Sequence, residues 1–79
     1  MPARPHPFDS VRLIRPVEEF PVGTRAVVIE EHAARDAYLI EILDEHGDGV
    51  DVLSATAADL ELLARPAGDA QGRSKQPAA

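Results

Sequence analysis

Seventy-nine residues allow one domain at most, and fourteen acidic against eight basic side chains give a formal charge of −6. With no cysteine in the chain, neither a disulfide nor a Cys/His zinc site can staple it, and so short a chain buries only roughly 60% of its unfolded surface. Residues 8–64 hold thirteen acidic side chains and four arginines, a net of −9, which repels a phosphate backbone and argues against nucleic-acid binding.

Residues 1–7 (MPARPHP) carry three prolines and no apolar run, so no signal peptide is expected. No stretch approaches the ~20 apolar residues of a membrane span. A soluble cytoplasmic protein that does not engage a membrane is the expectation, and the lack of cysteine is compatible with a reducing compartment. The segments 1–7 and 65–79 are poor in apolar residues and are expected to be mobile tails around a domain spanning 8–64.

Within that domain short apolar runs alternate with turn chemistry, the pattern of strands. The first run, Asp9 to Ile14, sets Val11 and Leu13 at period two with Arg12 facing the other way. Pro16 and Pro21 then mark a loop from Arg15 to Gly23, since proline cannot donate to a central ladder. Phe20 in that loop is expected to fold back onto the barrel mouth. Thr24 to Glu31 is strand-forming through Val27, Val28 and Ile29, although both of its faces are apolar. Ala37 to Leu43 is clearer, with Tyr38, Ile40 and Ile42 on one face and Leu39, Glu41 and Leu43 on the other. The intervening HAARD suits a hairpin connection with room for one helical turn.

DEHGDG after the third run is the strongest turn signal, with Gly47 and Gly49 expected at positive φ. Val50 to Ser54 then returns as a fourth strand. The stretch Ala55 to Ala64 is ambiguous: its propensity is helical, with Thr56 and Asp59 spaced as a capping box, yet about nine residues make a marginal helix. The alternative is a 3-10 turn over Thr56–Asp59 and a last strand from Leu60 to Leu63. That alternative fits an all-β, SH3-like barrel of about five antiparallel strands, which is the predicted fold.

So placed, the chain resembles the DUF4926 family of short bacterial proteins. The matching residues are Asp9, Val11 and Leu13; Gly23, Ala26, Val28 and Glu30; Tyr38, Ile40, Glu41 and Ile42; Gly47; and Asp59, Leu60 and Leu62. The likeness covers about residues 8 to 64; it implies an SH3-like fold and carries over no activity, cofactor or catalytic residue. Some members of that family sit beside genes for toxin-like proteins, which points to an antitoxin-like role. The Gly23 segment is also similar to the glycine motif of KOW-type barrels, but Ala26 stands where that motif has its second small residue as glycine.

No catalytic constellation emerges. The ordered hydroxyls Ser10, Thr24, Ser54 and Thr56 lie outside any G-x-S-x-G elbow, and no GxGxxG or GxxxxGK phosphate loop is present. His46 with Glu45, Asp48 and Asp51 lacks the alternating ligands of an EF-hand, so no metal or other cofactor is expected. Arg12, Arg15, Arg25 and Arg35 are expected to pair with neighbouring carboxylates, and Glu18, Glu19, Glu30 and Glu31 to be solvated. Three aromatics are too few for a polyproline groove. The expected function is a non-catalytic protein-interaction module, not an enzyme, contacting its partner through Val17, Glu18, Glu19 and Phe20. The expected partner is another protein, with a basic surface favoured by the acidity of the domain, and a homodimer through a barrel edge is a further version. The alternative is an antitoxin or immunity-type protein that covers a basic toxin.

Overall fold

The computed structural model describes residues 4–65. It is all-β, with five antiparallel strands in one sheet ordered β4-β3-β2-β1-β5. They are β1 (Ser10–Leu13), β2 (Arg25–His32), β3 (Ala37–Leu43), β4 (Gly49–Ala55) and β5 (Leu60–Ala64). β1 lies between β2 and β5, so the last strand returns to the first, the SH3-like layout the apolar rows predict. Bulges fall between Ser10 and Val11, Val28 and Glu30, and Ile42 and Leu43. Each increases local twist, which lets a sheet this small curl around its own core.

All five strands supply that core: Val11, Leu13, Ala26, Val28, Tyr38, Ile40, Ile42, Leu53, Ala55 and Leu60 are buried. The alternation of Tyr38, Ile40 and Ile42 inward holds throughout β3. On β2, where the sequence leaves the inner face open, Ala26 and Val28 point inward and Val27 outward. Tyr38 is the one aromatic fully enclosed, and its hydroxyl finds no hydrogen-bond partner among the described residues. The Arg4 guanidinium lies 5.8 Å from the ring centroid, within cation–π reach.

The ambiguous stretch resolves as a 3-10 turn, Ala57–Asp59, followed by β5. The Asp59 carboxylate accepts from the Thr56 amide (2.9 Å) and hydroxyl (3.1 Å). The capping chemistry is therefore real but closes one turn, because Leu60 is claimed by its pairing with Leu13. HAARD holds a second 3-10 turn, Ala33–Arg35, ended by Asp36 at φ 50°.

Two expectations need correction. Gly47 has the expected φ of +84°, but Gly49 does not; it opens β4, where a β-carbon would collide with the Glu41 carboxylate. Its glycine is a matter of room, not of dihedral angle. The N-terminal segment also differs from a free tail over residues 4–7: Pro5 is buried, the His6 amide donates to the Asp9 carboxylate (2.8 Å), and Arg4 reaches Asp36 (3.5 Å). Burial of Pro5 and pairing of the charges offset the ordering entropy that composition alone leaves uncovered. The remaining parts of the expected tails, 1–3 and 66–79, lie outside the described residues.

Candidate interaction surfaces

The loop between β1 and β2 is built from two tight turns. In the second, the Thr24 amide donates to the Pro21 carbonyl (3.2 Å) and Gly23 takes φ +96°. Glycine at the third position of a turn supplies the positive φ at no steric cost. The Gly23 amide also donates to the Leu13 carbonyl (2.8 Å), tying the loop to the end of β1. The Thr24 hydroxyl adds a bond to the Pro21 carbonyl (2.7 Å), so this hydroxyl is occupied in holding the turn.

The first turn carries the residues singled out as partner contacts. Val17 and Phe20 exchange both backbone hydrogen bonds, 3.0 and 2.9 Å, forming a bridge only two residues across. Both side chains are partly buried against the core. Glu18 and Glu19 form the tip and are exposed. Glu18 has φ 53°, a region that costs a residue with a β-carbon roughly 1–2 kcal/mol. The four residues thus divide: Val17 and Phe20 anchor the tip, and the two carboxylates are what it presents. Val22, 55% exposed, is the apolar group beside them on the chain.

Antiparallel pairing of β2 with β3 brings the 44–48 turn to the same end of the barrel as this loop. Asp44 organises that turn, its carboxylate accepting from the amides of His46 (2.8 Å) and Asp48 (3.0 Å). A shallow depression lined by Arg25, Leu43, Asp44, Glu45 and Gly47 lies at this turn. Among the described residues the His46 ring pairs only with its exposed neighbour Glu45 (3.5 Å). Among the described residues no group of three or more His, Asp or Glu side chains is placed to hold a metal ion. Of the four arginines in 8–64, Arg12 alone is ion-paired, with Glu61 opposite it on β5; Arg15, Arg25 and Arg35 have no carboxylate partner among the described residues, against expectation. Arg15 lies in the loop and Arg35 in the 3-10 turn, while Arg25 opens β2 in register with another cation, Arg12.

The opposite end is a clasp of polar contacts. Arg65 meets the buried Asp9 (3.3 Å), His6 meets Glu31 (2.9 Å) and His32 meets Glu30 (3.0 Å). Glu31 is consequently not the freely solvated side chain the sequence implies. Sequence reasoning also passes over Phe8 here. The Asp9 amide donates to the His6 carbonyl (3.0 Å), so Pro7 and Phe8 are the central pair of a turn. Phe8 has φ 72° and is 70% exposed. Proline followed by positive φ is the type II arrangement, where glycine is the usual occupant. The signal was Pro7 itself, one residue ahead of a ring with nowhere inside to go. Phe8→Gly is expected to raise stability by about 1 kcal/mol in urea denaturation; a loss would show that the exposed ring contributes more to the fold than its backbone costs.

The two outer strands differ as edges. On β4 the Val52 amide donates to the Asp51 carboxylate (2.8 Å), so one of its backbone donors is already taken, a device that discourages strand addition. β5 carries a half-exposed Leu63 at its bulge against β1.

No family model, characterised protein or solved structure matches this chain. No helix among the described residues is long and apolar enough to cross a membrane.

Proposed function

We propose that this protein is a non-catalytic interaction module, working in the cytoplasm, that binds another protein through the Arg15–Gly23 loop. Glu18 and Glu19 meet a basic surface on the partner, and Val17 and Phe20 hold them in place. The observation that carries this reading is the Val17–Phe20 bridge, which keeps a carboxylate pair at a fixed tip at the expense of positive φ at Glu18. Unfavourable backbone retained at an exposed tip is characteristic of positions kept for contact. The net of −9 over residues 8–64 supports a basic protein partner over nucleic acid or an anionic membrane surface.

The resemblance to DUF4926 is part of the proposal and supplies its second form, an antitoxin or immunity-type protein whose partner is a basic toxin. Both forms predict association driven by charge and weakened by salt. The test is capture from native cell extract at low and high salt, with wild type and with Glu18→Lys combined with Glu19→Lys as bait. Lysine at position 18 bears the same backbone cost as glutamate, so the fold is retained. The charge-reversed bait is expected to lose a salt-sensitive partner about tenfold, equivalent to about 1.4 kcal/mol. Undiminished capture by the folded variant sinks the loop reading; a captured partner that is basic and growth-inhibiting when expressed alone selects the antitoxin form.

A further inference from the structure

The outward face of β2, β3 and β4 carries a second feature, separate from the loop. Val27, Glu41 and Val52 stand opposite one another across the three strands. Directly opposed residues in an antiparallel ladder project to the same side, and because Ile40 and Ile42 point inward, this row points out. Leu39 and Leu43 flank Glu41 two residues away on the same face of β3. Ile29, at the β2 bulge, extends the face beside Leu39. Val27, Ile29, Leu39 and Leu43 are each only half-buried, and Val52 is 48% exposed.

Glu41 sits at the centre of this aliphatic row and is itself half-buried. Its carboxylate occupies the room left by the missing side chain of Gly49. Of the carboxylate residues that are not exposed, Asp9, Glu31 and Asp59 have partners in Arg65, His6 and Thr56, and Glu41 has none among the described residues. A half-buried side chain in an aliphatic row gives up part of its hydration, and no bond from the described residues to the Glu41 carboxylate returns it. A cation delivered from outside would meet an acceptor already partly stripped of water, where a charge-assisted bond is strong.

We propose that this face is an interaction surface for a protein segment that presents one arginine or lysine between aliphatic side chains, the cation to Glu41 and the aliphatic groups to Leu39, Val52 and Val27. Arginine fits best, since its guanidinium is weakly hydrated and can bridge both carboxylate oxygens. A second copy of the chain is a poor occupant: it would bring another Glu41 and another domain of net −9 to the same surface. The proposal does not depend on the loop being a binding site.

The experiment follows backbone amide resonances of the full chain while a capped heptapeptide of alternating valine and arginine is added. The control peptide replaces each arginine with glutamate. Saturable shifts centred on Val27, Leu39, Glu41 and Val52, absent with the control peptide, are expected. Glu41→Gln, which keeps shape and removes charge, is expected to weaken binding about tenfold, whereas Glu45→Gln, an equal loss of charge at an exposed turn, leaves it nearly unchanged. An unchanged denaturation midpoint shows that Glu41→Gln is folded. The proposal is overturned by shifts centred elsewhere, by equal binding of the control peptide, by no saturable binding, or by equal effects of the two substitutions. It is also overturned if light scattering finds a dimer whose dissociation shifts these same amides, or if Arg73→Gln with Lys75→Gln moves them without peptide. Those results assign the face to a second copy or to the chain's own C-terminal segment.

Discussion

Arg65→Met is expected to lower the unfolding free energy by about 2–3 kcal/mol, a large fraction of what a domain of this size has. The reason lies in the partner it leaves behind. The Asp9 side chain is 2% exposed and its carboxylate has two partners, the Arg65 guanidinium at 3.3 Å and the His6 amide at 2.8 Å. Removing the guanidinium leaves a buried charge with one hydrogen bond, a situation that costs about 3–5 kcal/mol where water is excluded. Arg65 is itself nearly half exposed, so water can partly replace it, and the expected figure is set below that range. The same arginine donates to the Arg4 carbonyl (2.9 Å), so the variant also loosens residues 4–7. Asp9→Asn placed on Arg65→Met removes the stranded charge while keeping an acceptor for the His6 amide, and is expected to recover most of the loss. Urea denaturation of the two variants measures this directly. If Arg65→Met costs under about 0.5 kcal/mol, as exposed ion pairs commonly do, the clasp contributes nothing and the ordering of residues 4–7 has another cause.

That arginine shows where sequence and structure part. The strands were legible because aliphatic side chains at period two report a buried face directly; Val11 and Leu13, and Tyr38, Ile40 and Ile42, point where their spacing places them. The 3-10 turn before β5 was legible too, as one of two readings of the Thr56–Asp59 pair, and the pairing of Leu60 with Leu13 decides between them. What composition hid was the role of the flanking arginines. Arg4 and Arg65 sit in segments with little to bury, yet 61 residues apart they converge on the acidic end of the barrel through Asp36 and Asp9. No local pattern encodes a contact of that separation.

The candidate site was legible in part. The prolines and Gly23 announced a shaped loop, and Glu18–Glu19 its charge. The inward turn of Val17 and Phe20 depends on a bridge two residues wide, and its strained φ at Glu18 is not written in any turn preference, since glycine or asparagine is what such a position selects. Glu41 was read correctly as facing away from the core. That it has no cationic partner among the described residues emerges only when the register sets valines on either side of it.

The largest effect expected from a single side chain is Ile40→Ala, at about 3–4 kcal/mol. Ile40 is fully buried at the middle of β3, paired with Val28 on one side and Leu53 on the other. Truncation removes three carbons from a site enclosed by three strands, so the loss combines transfer free energy with a cavity the neighbours cannot fill. A domain of some sixty ordered residues has only about 3–9 kcal/mol in hand, so this variant should be largely or wholly destabilised at ambient temperature. Leu39→Ala, one residue away and on the outward face, is expected to cost about 1 kcal/mol, because the leucine is only half-buried and its loss opens no cavity. The contrast between adjacent positions matters more than either value. Comparable losses at 39 and 40, measured by urea or thermal unfolding, would mean that the outward face is covered in the free protein, and that Glu41 already lies in an interior.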